Sequence, residues 1–418
     1  MTEFRNETLK IKICDLGHES TAPTVFKTRN VQQVTKANFE PDDEIYVGYG
    51  FVEDVFPYNK NSMYNREPKE KEIPCCVLEN DYLKAVFLPT LGARLWSLFD
   101  KKANRDLLLT DDNITFCNLS ARDAWFCGGI EWNFGIVGHN VYTCSQYHTA
   151  TLKTDKNETV LRFYEYERIR GCVFQMDFWL PDNSDRLLCA MQIFNPNQYV
   201  TPTYWWSNIA VEEYKGGRVI VPATEAYTYD TKEHRAVKKK SLVYDGKDAT
   251  YPTSHYDAVD HFWRTKNAPH KFICAVDEEG YGLCQASTDR QKGRKLFVWG
   301  QRNGSDNWQK RLRVGGNSKH YIEIQAGLAQ TQYECLPMPP RANWKWLESY
   351  GAISFDSKVA HGEYKNAVEF ADKKVAAQGL EEILENANHL HKKADKKAPS
   401  VPIGIGGASY VLSGVYTL

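Results

Sequence analysis

The run Tyr321-Ile322-Glu323-Ile324-Gln325-Ala326 alternates strictly between two kinds of side chain. Successive residues of an extended strand point to opposite faces, so Tyr321, Glu323 and Gln325 share one side and Ile322, Ile324 and Ala326 the other. The aliphatic side must be packed, and the polar side must meet solvent or a ligand. Working outward, the same period of two recurs from about Ile45 to Glu334, in short runs rich in Val, Ile, Phe, Tyr and Trp. Strands are expected at 77–79, 83–88, 95–99, 160–169, 173–180, 187–195, 204–212, 218–222, 272–276, 282–286, 296–300 and 321–326. Connections such as Pro181-Asp182-Asn183-Ser184-Asp185 and Asp277-Glu278-Glu279-Gly280 are turn chemistry, since Asp and Asn tolerate left-handed backbone and Gly supplies positive φ. So much strand requires two packed sheets.

The chain has 418 residues, 42% hydrophobic and 25% charged, which is globular composition. Lys and Arg total 52 against 53 Asp and Glu, so no field of one sign is available for a nucleic acid or an anionic membrane. No Gly-x-Gly-x-x-Gly, Walker loop, His-Glu-x-x-His or Gly-x-Ser-x-Gly motif occurs, which argues against nucleotide cofactors, a catalytic metal and a serine nucleophile. Eleven cysteines with no two-residue spacing are expected to be reduced and packed. The opening residues carry two acids and lack the apolar core of a secretory signal, and no segment reads as a membrane span, so a cytoplasmic protein is expected.

Composition shifts after Pro337-Met338-Pro339-Pro340. Tyr364, Ala367, Val368, Ala371 and Val375, then Leu380, Ile383, Leu384, Ala387 and Leu390, repeat at three and four, predicting amphipathic helices broken near Gly379. The expected organisation is an N-terminal extension over 1–44 packing on the core, a β domain over 45–350, and a helical C-terminal extension with its tail over 351–418. Residues 398–418 carry no charge and read as an added strand or a tail. Lys238-Lys239-Lys240 reads as a wet loop.

The stretch Leu78-Glu79-Asn80-Asp81-Tyr82 through Leu91-Gly92-Ala93-Arg94-Leu95-Trp96 resembles the opening of galactose-mutarotase-like β-supersandwich domains. Gly128-Gly129-Ile130-Glu131-Trp132-Asn133-Phe134-Gly135, Phe297-Val298-Trp299-Gly300 and Tyr321 through Gln332 extend the likeness, which is greatest to the domain of unknown function 5107 family, often fused ahead of tetratricopeptide repeats. The resemblance implies a mainly β, antiparallel β-supersandwich with C-terminal helices and a saccharide site on its concave sheet. In aldose epimerases of this fold a strand His is the acid and a late-strand Glu the base. The strand most like the first, Tyr204-Trp205-Trp206-Ser207-Asn208-Ile209, has no His, whereas Glu323 matches the late Glu.

Candidate residues follow from their chemistry. Glu131, behind two glycines and beside Trp132, is placed for burial that raises a carboxyl pKa, though it could equally pair with Arg122 or cap a turn. Glu323 is its expected partner, with Glu334 competing for the same role. His139 and His148 follow closely enough to line one rim, as acid or as hydroxyl ligand. Trp132, Trp205, Trp206 and Trp299 offer rings for stacking, against the plainer fate of core filling. Arg94 could reach a hydroxyl or brace its turn, and Gln325 shares the polar face of Glu323. The first expectation is a glycoside hydrolase with Glu131 and Glu323 as its carboxyl pair. The alternatives are an aldose or sugar-phosphate epimerase in which His139 or His148 replaces the missing strand His, and a non-catalytic saccharide-binding module.

Overall fold

The computed structural model describes residues 2–21, 39–41, 43–230, 235–240 and 242–392. Among them, alternating sequence has become two large sheets whose long pairings are antiparallel. A 13-stranded sheet carries, in order across its middle, Val259–Arg264, Gly293–Val298, Tyr321–Gly327, Trp205–Glu212, Ile130–Phe134 and Arg94–Asp100. The second, eight-stranded, runs through Thr159–Glu167, Cys172–Trp179, Arg186–Phe194, Asn343–Ser354, Tyr281–Ser287 and Lys271–Val276. Ile322, Ile324, Trp132 and Trp205 from the first sheet meet Phe178, Met191, Trp346 and Tyr350 from the second in the main core. The aliphatic face of the Tyr321 strand is thus the packed one. This is a mainly β, antiparallel sandwich.

All eleven cysteines are free and buried, where a thiol serves as a small hydrophobe. The expected C-terminal helices form at Tyr364–Ala376 and Leu380–Glu385, with the break at Gly379, φ 62°, and a short helix at Ser357–Ala360 precedes them. Ala367, Ala371, Val375 and Leu380 cover the outer face of the second sheet through Trp179, Phe272 and Cys274. Residues 398–418, read as a strand or tail, lie outside the described residues.

Several elements depart from the sequence reading. Glu3–Ile13 is a strand paired along its whole length with Lys69–Glu79. Asn343–Ser354 lies in the middle of the second sheet, although its Trp, Lys, Glu and Ser residues obscure the alternation. Glu348 within it is fully buried and accepts from Trp205 Nε1 at 3.0 Å, Trp346 Nε1 at 2.9 Å and Ser207 Oγ at 3.0 Å, binding the two sheets through a carboxylate. A helix, Asn303–Leu312, follows Trp299. Lys238 is not in a wet loop: it lies on strand Arg235–Lys239 and pairs with Glu40 at 2.5 Å. No helix among the described residues is long and apolar enough to cross a membrane.

Candidate functional site

Residues directly opposed on neighbouring strands point to the same side of a sheet. Asn208 is opposed by Glu131 on one flank and Gln325 on the other, and Lys295 lies opposite Gln325. One step along, Phe297 is opposed by Glu323 and by Asp260. Five strands therefore gather their polar positions on the side facing away from the main core. A cavity of about 360 Å³ opens there, lined by Glu323, Gln325, Lys295, Asp260, Asn208, Asn133 and His139, with Trp125, Phe297 and Trp299 as its rings. Its walls come from Val52, Asp54 and Val55 and from the hairpin around Asn118–Asp123. Lys60 ties these walls together, donating to Ala121 O at 2.8 Å and pairing with Asp123 at 3.0 Å.

The two glycines before Ile130 are needed by the backbone. Gly129 has φ 67°, and a Cβ on it would fall 2.3 Å from Leu95 O, so a larger residue would push the Ile130–Phe134 strand off its neighbour. After that strand the chain turns back through Gly138, φ 97°, and returns His139 over Glu131. His139 Nδ1 lies 2.8 Å from Glu131 Oε2, and its ring packs against Trp125 with centroids 5.1 Å apart.

Glu131 is 2% exposed and its oxygens are occupied. Oε2 also accepts from Trp125 Nε1 at 3.1 Å, Oε1 accepts from Thr143 Oγ1 at 2.6 Å, and Arg94 stands 3.9 Å away. Burial alone would raise this carboxyl, but the charges of His139 and Arg94 with the bonds from His139 and Thr143 hold it well below the usual carboxylate range. Burial would conversely lower His139, yet the Glu131 carboxylate outweighs it and raises the imidazole above its ordinary value. A carboxylate beside Nδ1 fixes that nitrogen as the donor and leaves Nε2 for the cavity, where the side chain is 27% exposed.

Glu323 is raised chiefly by burial, against the charges of Lys295 and His139. It accepts from Gln325 Nε2 at 2.9 Å, and Asn208 supplies a second side-chain hydrogen bond. Asn208 Oδ1 and Trp299 Nε1 are themselves buried and have no hydrogen-bond partner among the described residues. One wall therefore holds a protonatable imidazole and another a carboxylate poised to accept a proton. An imidazole and a carboxyl lining one cavity can carry out general acid and base chemistry. No trio of His, Cys, Asp or Glu among the described residues is arranged to hold a metal.

Of the residues singled out from sequence, His139, Glu323, Gln325 and Trp299 line the cavity together. Glu131 lies behind His139 and does not open onto the cavity. Arg94 is as buried as Glu131, donating to Gly128 O at 2.9 Å and Thr143 Oγ1 at 3.1 Å, so it braces the site from behind. Trp132 and Trp205, expected to stack on a sugar, belong to the main core, because their strand parity faces the second sheet. Trp206 has the other parity but is sealed under Phe262 and Tyr333. His148 sits on the second sheet, 3.7 Å from Glu165 and stacked on Tyr164, and burial lowers it. Glu334 is fully buried on Thr331 and pushed up to about 8 by burial, away from the lining. Asn208, Lys295, Asp260 and Gln332 are lining residues that the sequence reading omits. The available signal was a polar residue inside a strand that also carries large apolar ones, as at Asn208 and Lys295, because such a residue is seldom buried without a purpose.

The sequence model of the family described as domain of unknown function (DUF5107) matches residues 51–339. Among solved structures, a TPR-domain containing protein from Parabacteroides distasonis is similar with a TM-score of 0.66 and 19% identity, covering 84% of this chain and 55% of that one. This chain thus spans about half the length of that relative. A galactose mutarotase-like protein from Clostridium acetobutylicum is similar with a TM-score of 0.50 and 10% identity, over 68% of this chain and 96% of that one. At such identities the shared property is the fold.

Proposed function

This chain belongs to the DUF5107 family, and from that premise we propose that it is a carbohydrate isomerase, acting on the anomeric centre of an aldose by acid and base catalysis. The observation that carries this reading is that His139 and Glu323 line one cavity, with the Glu131 carboxylate 2.8 Å from His139 Nδ1 and raising that imidazole above its ordinary value. In the proposed reaction Glu323 takes the proton of the C1 hydroxyl while His139 Nε2 protonates the ring oxygen, and the C1–O5 bond opens. Rotation about C1–C2 and closure from the other face return both protons. The rings of Trp125, Phe297 and Trp299 would offer apolar faces to the sugar. The fold shared with a mutarotase-like protein is consistent with a sugar ligand, and His139 stands in for the histidine absent from the Tyr204–Ile209 strand.

Glycosidic cleavage by Glu131 and Glu323 is less well supported, since Glu131 is enclosed by four partners and cannot flank a glycosidic bond. A non-catalytic saccharide module would not need a buried carboxylate to charge His139. Polarimetry on freshly dissolved α-D-glucose and α-D-galactose tests the reading. The protein should speed mutarotation, and His139→Asn or Glu323→Gln should abolish the acceleration. Cleavage of aryl glycosides without any effect on free sugars would reverse the choice.

A further inference from the structure

We propose that Lys295 is a positioning residue for Glu323, acting through a directional relay of two glutamines, and that it does not bind the substrate. The inference rests on the reading of Glu323 as the base. Lys295 Nζ pairs with Asp260 at 2.7 Å and donates to Gln332 Oε1 at 2.7 Å. Gln332 Nε2 donates to Gln325 Oε1 at 2.6 Å, and Gln325 Nε2 donates to Glu323 Oε2 at 2.9 Å. All five residues line the cavity, and Gln332 brings in the chain beyond the Tyr321–Gly327 strand.

The polarity of this relay follows from one end. An ammonium has donors and no acceptor, so Gln332 must turn its oxygen toward Lys295 and its NH₂ away. That NH₂ in turn claims the oxygen of Gln325, which leaves the Gln325 NH₂ aimed at the carboxylate. Amide orientation is otherwise a matter of which flip the network favours. Without the lysine, either amide can reverse and set a carbonyl oxygen against Glu323. The charged groups that act on Glu323 are Lys295, His139 from the loop after Ile130–Phe134, and Glu131 from behind that histidine. Lys295 is 4% exposed, and Asp260 already neutralises it. A sugar phosphate would have to displace that carboxylate to reach the ammonium, so Lys295 is wired inward toward the base.

The test titrates the Glu323 carboxyl in protein labelled with ¹³C-glutamate, its resonance identified by loss in Glu323→Gln. Lys295→Met should raise the proton affinity of Glu323 about tenfold, which is one pH unit. Gln332→Leu, which keeps the charge and cuts the relay, should raise it less, and provides a second reading if Lys295→Met fails to fold. On α-D-glucose, kcat at pH 6 should fall in both variants while KM stays within about twofold, and Lys295→Arg should restore part of the loss. An unmoved Glu323 midpoint in folded Lys295→Met overturns the proposal. So does a tenfold rise in KM for glucose 6-phosphate that leaves glucose untouched, which would make Lys295 a substrate contact. Should the wild type leave both sugars unaffected while the midpoint still moves, the relay stands and the isomerase reading falls.

Discussion

His139 Nδ1 and Glu131 Oε2 are 2.8 Å apart, with the histidine at the cavity and the glutamate sealed beneath it. The pair is asymmetric in exposure, 27% against 2%, so one member can exchange protons with a ligand while the other sets its charge. Glu131→Gln keeps the shape and removes the charge. The proposed acid should then lose about 10²- to 10⁴-fold in kcat, the usual worth of a positioned proton donor. It should also cost about 1.5–3 kcal/mol of stability, the scale of a hydrogen bond to a charged group. Polarimetry and a urea melt of the same preparation check both, and full activity in Glu131→Gln would detach the glutamate from the chemistry.

The pH profile of the wild type should be bell-shaped. The proposed reaction requires Glu323 ionised, and burial raises its pKa against Lys295 and His139, so the acid limb should lie above pH 4.5, the ordinary glutamate value. It also requires His139 protonated. Burial opposes this and Glu131 overrides it, so the alkaline limb should lie above pH 6.5. In Glu131→Gln only the Glu323 charge still opposes burial, and that limb should move to lower pH while the acid limb changes little. A profile flat from pH 5 to 8 in both proteins would remove the two groups from the reaction.

Trp299 and Trp205 should separate binding from stability. Trp299 lines the cavity, so Trp299→Ala should weaken saccharide binding, by about 0.5–1.5 kcal/mol if a ring face is lost. Trp205 gives its Nε1 to buried Glu348, so Trp205→Phe strips a donor from an enclosed carboxylate and should cost about 1–3 kcal/mol of folding stability with KM unchanged. Calorimetric titration with galactose and thermal melts give the two numbers, and a raised KM in Trp205→Phe would put that indole back among the ligand contacts.

The alternation at Tyr321–Ala326 disclosed which residues face the core, and its polar face does carry Glu323 and Gln325 into the cavity. Parity says nothing about what covers a face. Trp206 and Asn208 share a side of one strand, yet Phe262 and Tyr333 seal the first while the second opens onto the cavity. The register that brings Lys295, Gln325 and Asn208 into one row depends on pairing between strands far apart in the chain, which no local pattern records. Glu131 was legible as a buried carboxyl behind two glycines. Its enclosure by Thr143, Trp125 and His139 depends on loops that fold back over it, so its depth was not legible.

A second histidine pair should govern acid stability. His255 and His261 face each other with Nε2 atoms 2.9 Å apart, and both rings are buried. His255 Nδ1 lies 3.1 Å from Pro252 O, and a carbonyl only accepts, so that nitrogen carries the proton and His255 Nε2 accepts from His261. Burial and the neighbouring His255 hold His261 down to about 3. The unfolded chain takes a proton on this ring near pH 6.5, and the folded protein refuses it until about 3. The stability contributed is therefore whole above pH 6.5 and drains as pH falls toward 3, at up to about 1.4 kcal/mol per pH unit. His261→Gln can still donate to His255 but cannot be charged. Urea midpoints at pH 7.5 and 5 should drop steeply in the wild type and less in His261→Gln, and equal slopes would show that acid acts elsewhere.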